Sequence, residues 1–404
     1  MTTMAIIKDR DIVIIGLQPW DTAIGSNCKD IAMEFSKNNR VLYVNYPLDR
    51  ISKIRHQHTA LVQKRLAKIR SKENNLELVA PNLWVYYPDV ILESINWIKI
   101  SFIFDSLNKR NNRIFANAIH KAIQELGMKA FILFNDNDIF RGLHLKAYLK
   151  PAVSIYYSRD NLLGTDYWKY HGKRLEPKIM ANSDICVANS SYLTAICKLY
   201  NKNSYDVGQG CEIKQFLNAI ECKTPEKMKN IPLPIVGYVG ALTSIRLAID
   251  IITQIAVKNP LWSIVLVGPE DEIFKMSGLH RLKNVHFIGA VNPEELPAYI
   301  GSFSVCINPQ QNNELTIGNY PRKVDEYLAA GKPVVATKTE AMGEFKDYCY
   351  LATNPSEFIL AIQKAIVSDS PDLIQLRKEF ASSHTWESSV GKIYVAIKKY
   401  ISNS

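Results

Sequence analysis

The chain has 404 residues, 47% of them hydrophobic and 22% charged, with a formal net charge of +10. That length allows two domains with cores of their own, in a composition typical of soluble globular proteins. Seven cysteines without a C-x-x-C pair point to reduced thiols, and no apolar run reaches the roughly 20 residues of a bilayer span, which excludes a disulfide scaffold and a membrane-spanning chain.

In chain order, short apolar runs alternate with segments of helical period. The first is a strand at 12–15, reached from a short lead that lacks the basic, apolar and small-residue order of a signal peptide, so a cytoplasmic location is expected. It is followed by a glycine-bounded loop from Gly16 to Gly25 and a helix running to about Asn38. This loop is not G-x-G-x-x-G, and no acidic residue ends the next strand at 41–44, so an NAD fingerprint is absent. A loop of this size can reach toward an acceptor through Gly16, Trp20 and Gly25, or Trp20 can simply cap the sheet.

Residues 50–72 carry Arg50, Lys53, Arg55, Lys64, Arg65, Lys68, Arg70 and Lys72 with no acid among them. Interleaved Ile51, Ile54, Leu61, Val62, Leu66 and Ile69 make this a basic amphipathic helix, suited to an acidic lipid surface or to packing on its own domain. Nucleic acid is not expected, because no helix-turn-helix, zinc-finger or RNA-binding signature accompanies the charge.

Further strands are expected at 84–87, 131–134, 153–157 and 185–188, and a second series at 235–239, 263–267, 285–288, 305–308 and 333–336. Helical stretches fall at 246–258, 293–301, 322–330 and 355–368, and a final helix at 384–401 can return to the first domain. The predicted architecture is α/β: two doubly wound, Rossmann-like domains facing a cleft, with ligands at the carboxyl ends of the strands. Residues 1–210 form the acceptor-side domain, 211–233 a lysine- and proline-rich linker, 234–380 the donor domain and 381–404 the returning helix.

The strand-end loops of the second series carry the chemistry. Gly237 and Gly240 in I-V-G-Y-V-G-A-L let backbone approach a phosphate, Gly268 in L-V-G-P repeats the device, and Asn308-Pro309 makes a turn that can frame a base or a sugar. The run from Asn319 to Ala336, N-Y-P-R-K-V-D-E-Y-L-A-A-G-K-P-V-V-A, places Pro321 in a helix's first turn and closes that helix at Gly331. Arg322 and Lys323 then stand where free N–H groups and the helix dipole favour a diphosphate. Glu326 lies one turn on, able to accept two hydrogen bonds from a ribose diol, although an isolated K-x-x-E on a helix also reads as a surface salt bridge.

In this order, the motifs G-Y-V-G-A-L, L-V-G-P, N-V-H-F-I-G-A-V and P-R-K-V-D-E-Y-L-A-A-G-K-P-V-V-A resemble the donor domain of family 4 glycosyltransferases of GT-B fold, over most of residues 235–340. The nearest flavour is that of bacterial surface-polysaccharide enzymes of the teichuronic-acid type. The resemblance implies retaining transfer from a nucleotide-diphosphate sugar, with UDP favoured and GDP open, to a glycan or lipid-linked acceptor. It implies no metal and no other cofactor, and the eight histidines show no metal spacing.

Glu326 matches the family carboxylate that holds the ribose, Lys323 a basic residue of the same segment, and Arg246 an arginine after the glycine strand. Where the family has a second glutamate eight positions before Glu326, this chain has Gly318; Glu314 is the nearest carboxylate. Phosphate binding is then expected from Arg322 and Lys323 with the backbone N–H groups of Thr316 to Asn319. In the first domain, V-S-I-Y-Y-S-R-D and D-I-C-V-A-N-S resemble the family's cleft strands and put Asp160 in line to take or orient the acceptor's proton. Asn135 is a rival on another strand end, or a turn former. A nucleotide-sugar epimerase and a degenerate nucleotide- or glycan-binding subunit stand as alternatives, and contact with the inner membrane face through residues 50–72 is expected of the transferase.

Overall fold

Strands form where β-branched and aromatic residues run together, and here those runs are buried on both faces, as parallel sheets covered by helices require. The structure is a computed structural model that describes residues 6–22, 26–71 and 75–403. The chain divides into two units: one runs to Gly208 and takes up the chain again from Trp386, and the other is Gln209–Thr385.

The first unit holds β1 (Asp11–Ile15), β2 (Arg40–Val44), β3 (Leu48–Asp49), β4 (Leu76–Ala80), β5 (Leu83–Tyr86), β6 (Ile91–Leu92), β7 (Ile132–Asp136), β8 (Val153–Ser158), β9 (Ile185–Ala188) and β10 (Ser204–Asp206). Eight of these form one sheet in the order β10-β9-β8-β7-β1-β2-β5-β4, parallel except for the β4–β5 edge, while β3 and β6 pair separately. Alternation along each strand sends side chains to opposite faces. Ile12, Val41 and Phe134 meet the helices Asn27–Ser36 and Trp386–Ser402, and Val13, Leu42 and Leu133 meet the long helix Ser101–Glu125.

The second unit is a six-stranded parallel sheet of β11 (Ile235–Val239), β12 (Ser263–Val267), β13 (Val285–Gly289), β14 (Val305–Asn308), β15 (Val334–Thr337) and β16 (Tyr350–Ala352), in the order β13-β12-β11-β14-β15-β16. Ile264 and Val236 face the helices Ile249–Lys258 and Pro355–Val367, and Val265 and Val239 face Arg322–Ala329. The loops after the strands therefore gather at one edge of each sheet.

Several elements differ from expectation. The stretch 211–233 is no free linker: Cys211, Ile213, Phe216, Ala219 and Met228 are buried in the second unit's core, and the chain winds there through three short 3-10 turns. The basic stretch forms two helices, Arg50–Arg55 and Ala60–Ser71, because the polar run 56–59 ends one before the next begins. Lys72 lies outside the described residues. The antiparallel edge strand β4 and the helices Ser101–Glu125 and Pro371–Ser382 are additions. No described helix is long and apolar enough to cross a membrane.

Candidate functional site

The residues expected on the donor side come together at the carboxyl ends of β11, β12 and β14. Gly240, with φ +139°, and Gly268, with φ +145°, adopt backbone that other residues rarely take. A Cβ on Gly268 would lie 2.0 Å from the Gly240 carbonyl oxygen, so the two turns touch backbone to backbone. A Cβ on Gly240 would lie 2.8 Å from the Lys323 ammonium. Glycine thus leaves open the space in front of that cation.

The helix Arg322–Ala329 is set against the same strand end by two of its side chains. Tyr327 takes the Val239 N–H at 2.8 Å, and Lys323, one turn earlier on that face, donates to the Tyr238 hydroxyl with its ammonium 4.2 Å from the ring centroid. The surface salt bridge with Glu326 does not form, because Tyr238 has taken the ammonium. Glu326 is half-buried, its carboxylate without a hydrogen-bond partner among the described residues, and burial raises its pKa against the pull of Arg322 and Lys323. Pro321 is the residue before the helix rather than in its first turn, and no side chain caps that end.

The loops after β11 and β14 interlock. Ala248 N–H donates to Pro309 O, Gln311 N–H to Arg246 O, and the Asn313 amide to Ile245 O at 2.8 Å. Arg246 itself is exposed, its guanidinium unpartnered among the described residues, and Asn308 is buried at the end of β14. The loop corrects one expectation. The Thr316 and Ile317 N–H groups bond Asn313 O, the Asn319 N–H bonds Thr316 O, and Thr316 Oγ and the Asn313 carboxamide close an Asx-type turn. Those amides are committed within the loop and are not a phosphate cradle. Gly318 is buried in the same loop and Glu314 is exposed four positions before it. Asn319 keeps one buried carbonyl oxygen, Oδ1, without a partner.

A cluster the sequence reading passed over lies on the far side of this helix. Asp325, fully buried, accepts from His384 Nδ1 at 2.7 Å, and the Tyr320 hydroxyl stands 3.1 Å from the same nitrogen. Burial raises the Asp325 pKa and the histidine bond opposes it. These residues fix the start of the helix to the last residues of the unit. Nothing in local spacing could have joined Asp325 to His384, since 59 positions separate them.

In the first unit, Asp160 follows β8, with one-third of its side chain exposed and its carboxylate 2.6 Å from Arg159 Nη1. Arg159 is in turn held by the buried Asp136 at 2.7 Å. The carboxylate expected to stand ready for a proton is thus engaged in an ion pair. Asn135 takes the turn-forming alternative: its amide donates to Asp138 O and its carbonyl accepts the Asp138 N–H. Gly16 lets the Tyr43 hydroxyl pass at 2.3 Å from where a Cβ would be, and that hydroxyl bonds Gln18 O. Trp20 takes its capping role, edge-on to Tyr43 at 5.1 Å, with its backbone N–H donating to Asn45 Oδ1. Gly25 lies outside the described residues.

The acid-free basic stretch is partly neutralised by acids from elsewhere. Arg50 pairs with Glu93, Lys64 and Arg65 with Asp21, and Lys68 with Glu77. Lys53, Arg55 and Arg70 remain without an ion pair among the described residues.

Residues 233–368 match the family model described as Glycosyl transferases group 1. TuaH of Bacillus subtilis, described as a teichuronic acid biosynthesis glycosyltransferase, is 26% identical over 255 residues, 60% of this chain and 64% of the length of that relative. Sucrose-phosphate synthase from Thermosynechococcus elongatus superposes over 98% of this chain and 100% of its own, with a TM-score of 0.67 at 15% identity. Anabaena HepE in complex with UDP and glucose superposes over 97% and 99%, with a TM-score of 0.60 at 15% identity. The fold is that of GT-B glycosyltransferases.

Proposed function

We propose that this chain, whose residues 233–368 carry a group 1 glycosyltransferase domain in a GT-B fold, moves a sugar from a nucleotide-diphosphate sugar to a glycan or lipid-linked acceptor in the assembly of a cell-surface polysaccharide. The observation that carries this reading is the meeting of Gly240, Gly268 and Lys323 at one strand end, with Glu326 a turn further along the same helix. Backbone bared by two glycines beside an ammonium suits a diphosphate, and a half-buried carboxylate with spare acceptor capacity suits a ribose diol. The likeness to TuaH supports a surface-polysaccharide setting, and the UDP and glucose in HepE support UDP as the nucleotide.

Transfer would proceed with retention and without a metal. The bond from the sugar's anomeric carbon to the diphosphate oxygen breaks as the bond to the acceptor oxygen forms on the same face, and the acceptor's proton passes to the departing phosphate oxygen. Arg322, Lys323 and the start of their helix would stabilise the charge that develops on that oxygen. No enzyme nucleophile is needed, and the engagement of Asp160 with Arg159 accords with that. With the Thr316, Ile317 and Asn319 amides occupied, the charged groups left for an anion here are Lys323, Arg322 and the exposed Arg246.

Calorimetric titration of UDP, GDP and their glucose adducts tests the reading. Lys323→Ala is expected to weaken the preferred nucleotide on the order of 10- to 100-fold, as loss of a charge-assisted contact of about 1.5–3 kcal/mol implies. Glu326→Ala is expected to remove most discrimination between ribose and 2′,3′-dideoxyribose nucleotides. Unchanged binding in both folded variants would sink the assignment, and conversion of the nucleotide sugar without any acceptor would favour an epimerase.

A further inference from the structure

A cavity of about 310 Å³ opens in the first unit, among the loops that follow β2, β6 and β7 and the start of the helix Asp166–Asn182. Its walls are aromatic, from Trp97, Phe140, Tyr167 and Trp168. Phe140 and Trp168 lie 4.6 Å apart between ring centroids, and Tyr167 and Trp168 5.0 Å. Its floor is polar, but most of that polarity is spent on the protein. Asp49 accepts from Ser52 and Ser94, Asn111 exchanges two bonds with the Glu93 backbone, and Arg141 is paired with Asp138.

Asn96 breaks the pattern. Its Nδ2 is buried and makes no well-formed hydrogen bond, with the Tyr167 hydroxyl as its nearest polar neighbour. A buried amide donor left so costs about 1–3 kcal/mol unless a ligand accepts from it. Trp168 also keeps its indole N–H without a partner among the described residues. Aromatic walls with these donors and one carboxylate, Asp49, held by serines rather than by a cation suit a neutral pyranose, whose C–H face stacks on rings and whose hydroxyls both accept and donate hydrogen bonds. The volume is at the small end of the ~300–1,000 Å³ range of ligand clefts, which fits one sugar unit.

The mouth has a different character. Ile51, Trp97 and Tyr167, which line the cavity, are also 37%, 70% and 62% exposed. Tyr170, 51% exposed, donates to Lys99 O and lies under the Lys99 ammonium. Ile54, 65% exposed, shares the helix of Ile51 with Lys53 and Arg55. Apolar groups at the opening with unpaired cations beside them match an apolar chain joined to its sugar through an anionic link.

We infer that this cavity seats the terminal sugar of the acceptor, and that the acceptor is lipid-linked, its first apolar segment lying along Ile51, Trp97 and Tyr167. The inference rests on the glycosyltransferase reading above and names the acceptor class for it.

Calorimetry on the full chain with methyl and dodecyl glycosides of glucose, galactose and N-acetylglucosamine, each below its micelle concentration, tests both parts. At least one dodecyl glycoside is expected to saturate, at least about tenfold tighter than its methyl counterpart, since burying even two methylenes yields that factor. Asn96→Ala is expected to weaken both forms about five- to tenfold. Trp97→Ala, at an exposed position, is expected to erase the alkyl advantage, with unchanged circular dichroism showing that each variant folds. Equal affinity for methyl and dodecyl forms overturns the lipid-linked source. Saturation by dodecylphosphocholine at the same affinity overturns the sugar seat, as does glycoside binding undiminished in both variants or absent from the wild type. Nucleotide binding is read separately, so failure of the donor site leaves UDP titrations flat while glycosides still bind.

Discussion

Lys323 and Glu326 could be picked out as a pair because helical spacing is local, three residues along one face. Their surroundings could not. Tyr238, which receives the lysine, stands 85 positions earlier and is known as a partner only once β11 ends beneath the helix. The same distance problem hid His384 from Asp325, and turned Asn135 and Asp160 from free polar groups into a turn former and an ion-pair member. Glu176 gives a residue-scale prediction. Buried and bonded by the Tyr156 hydroxyl at 2.9 Å, its carboxyl is pushed up to about 7 by desolvation. Its folded value lies above the unfolded one, so the folded state holds the proton longer. The stability it contributes is full below about pH 4.5 and is lost as pH rises through about 7. That difference amounts to roughly 3 kcal/mol across the window. Urea unfolding of Glu176→Gln against wild type at pH 5 and pH 8 checks this: the variant should gain at pH 8 and not at pH 5, and equal shifts at both would refute it.

The parallel strands were readable because continuous apolar runs leave little else for a segment to be. The edge strand β4 escaped because Leu78 and Val79 are exposed, so its apolar residues follow no buried face. The basic stretch illustrates the opposite error. Absence of acids in a sequence window says nothing of acids brought in by other elements, and Asp21, Glu77 and Glu93 pair with Arg50, Lys64, Arg65 and Lys68 of the run. The glycine turns after β11 and β12 are legible in sequence as permissive backbone; that the second packs its Cα against the first's carbonyl is not. Gly268→Ala is therefore expected to cost at least about 2 kcal/mol, since its Cβ meets fixed carbonyl rather than a mobile side chain and its φ is unfavourable as well. Gly240→Ala shares the unfavourable φ but meets only the far ends of Lys323 and Tyr238, so it should cost less stability than Gly268→Ala and should also lower nucleotide affinity. Chemical unfolding midpoints and nucleotide titrations on the two variants separate these outcomes, and a Gly268→Ala protein of wild-type stability would contradict the contact.

The alternation of strands and helices is enough for two α/β units, but the route of the chain between them depends on side chains far from the junctions. The final helix supplies Trp386, Val390, Ile393, Tyr394 and Ile397 to the first unit's core, and Tyr394 bonds Asn39 at 2.9 Å. At about 1.5–3 kcal/mol for each buried side chain, their loss is on the order of 10 kcal/mol, comparable with the whole stability of a domain. A chain ending at Thr385 should therefore lose the cooperative unfolding of the first unit while the second still melts as a unit. Scanning calorimetry reads this directly, and two intact transitions would exclude it.

That route makes Gln209–Thr385 an insertion. Within the first unit, Ser389 Oγ reaches Gly208 O at 3.3 Å, and within the second, Cys211 N–H reaches His384 O at 2.9 Å, so each unit keeps its two cut ends side by side. The second unit is thereby a cassette. It can be excised or exchanged as a block without severing a strand of either sheet, which, on the function proposed above, would let such a chain change nucleotide preference while its other half is inherited unaltered.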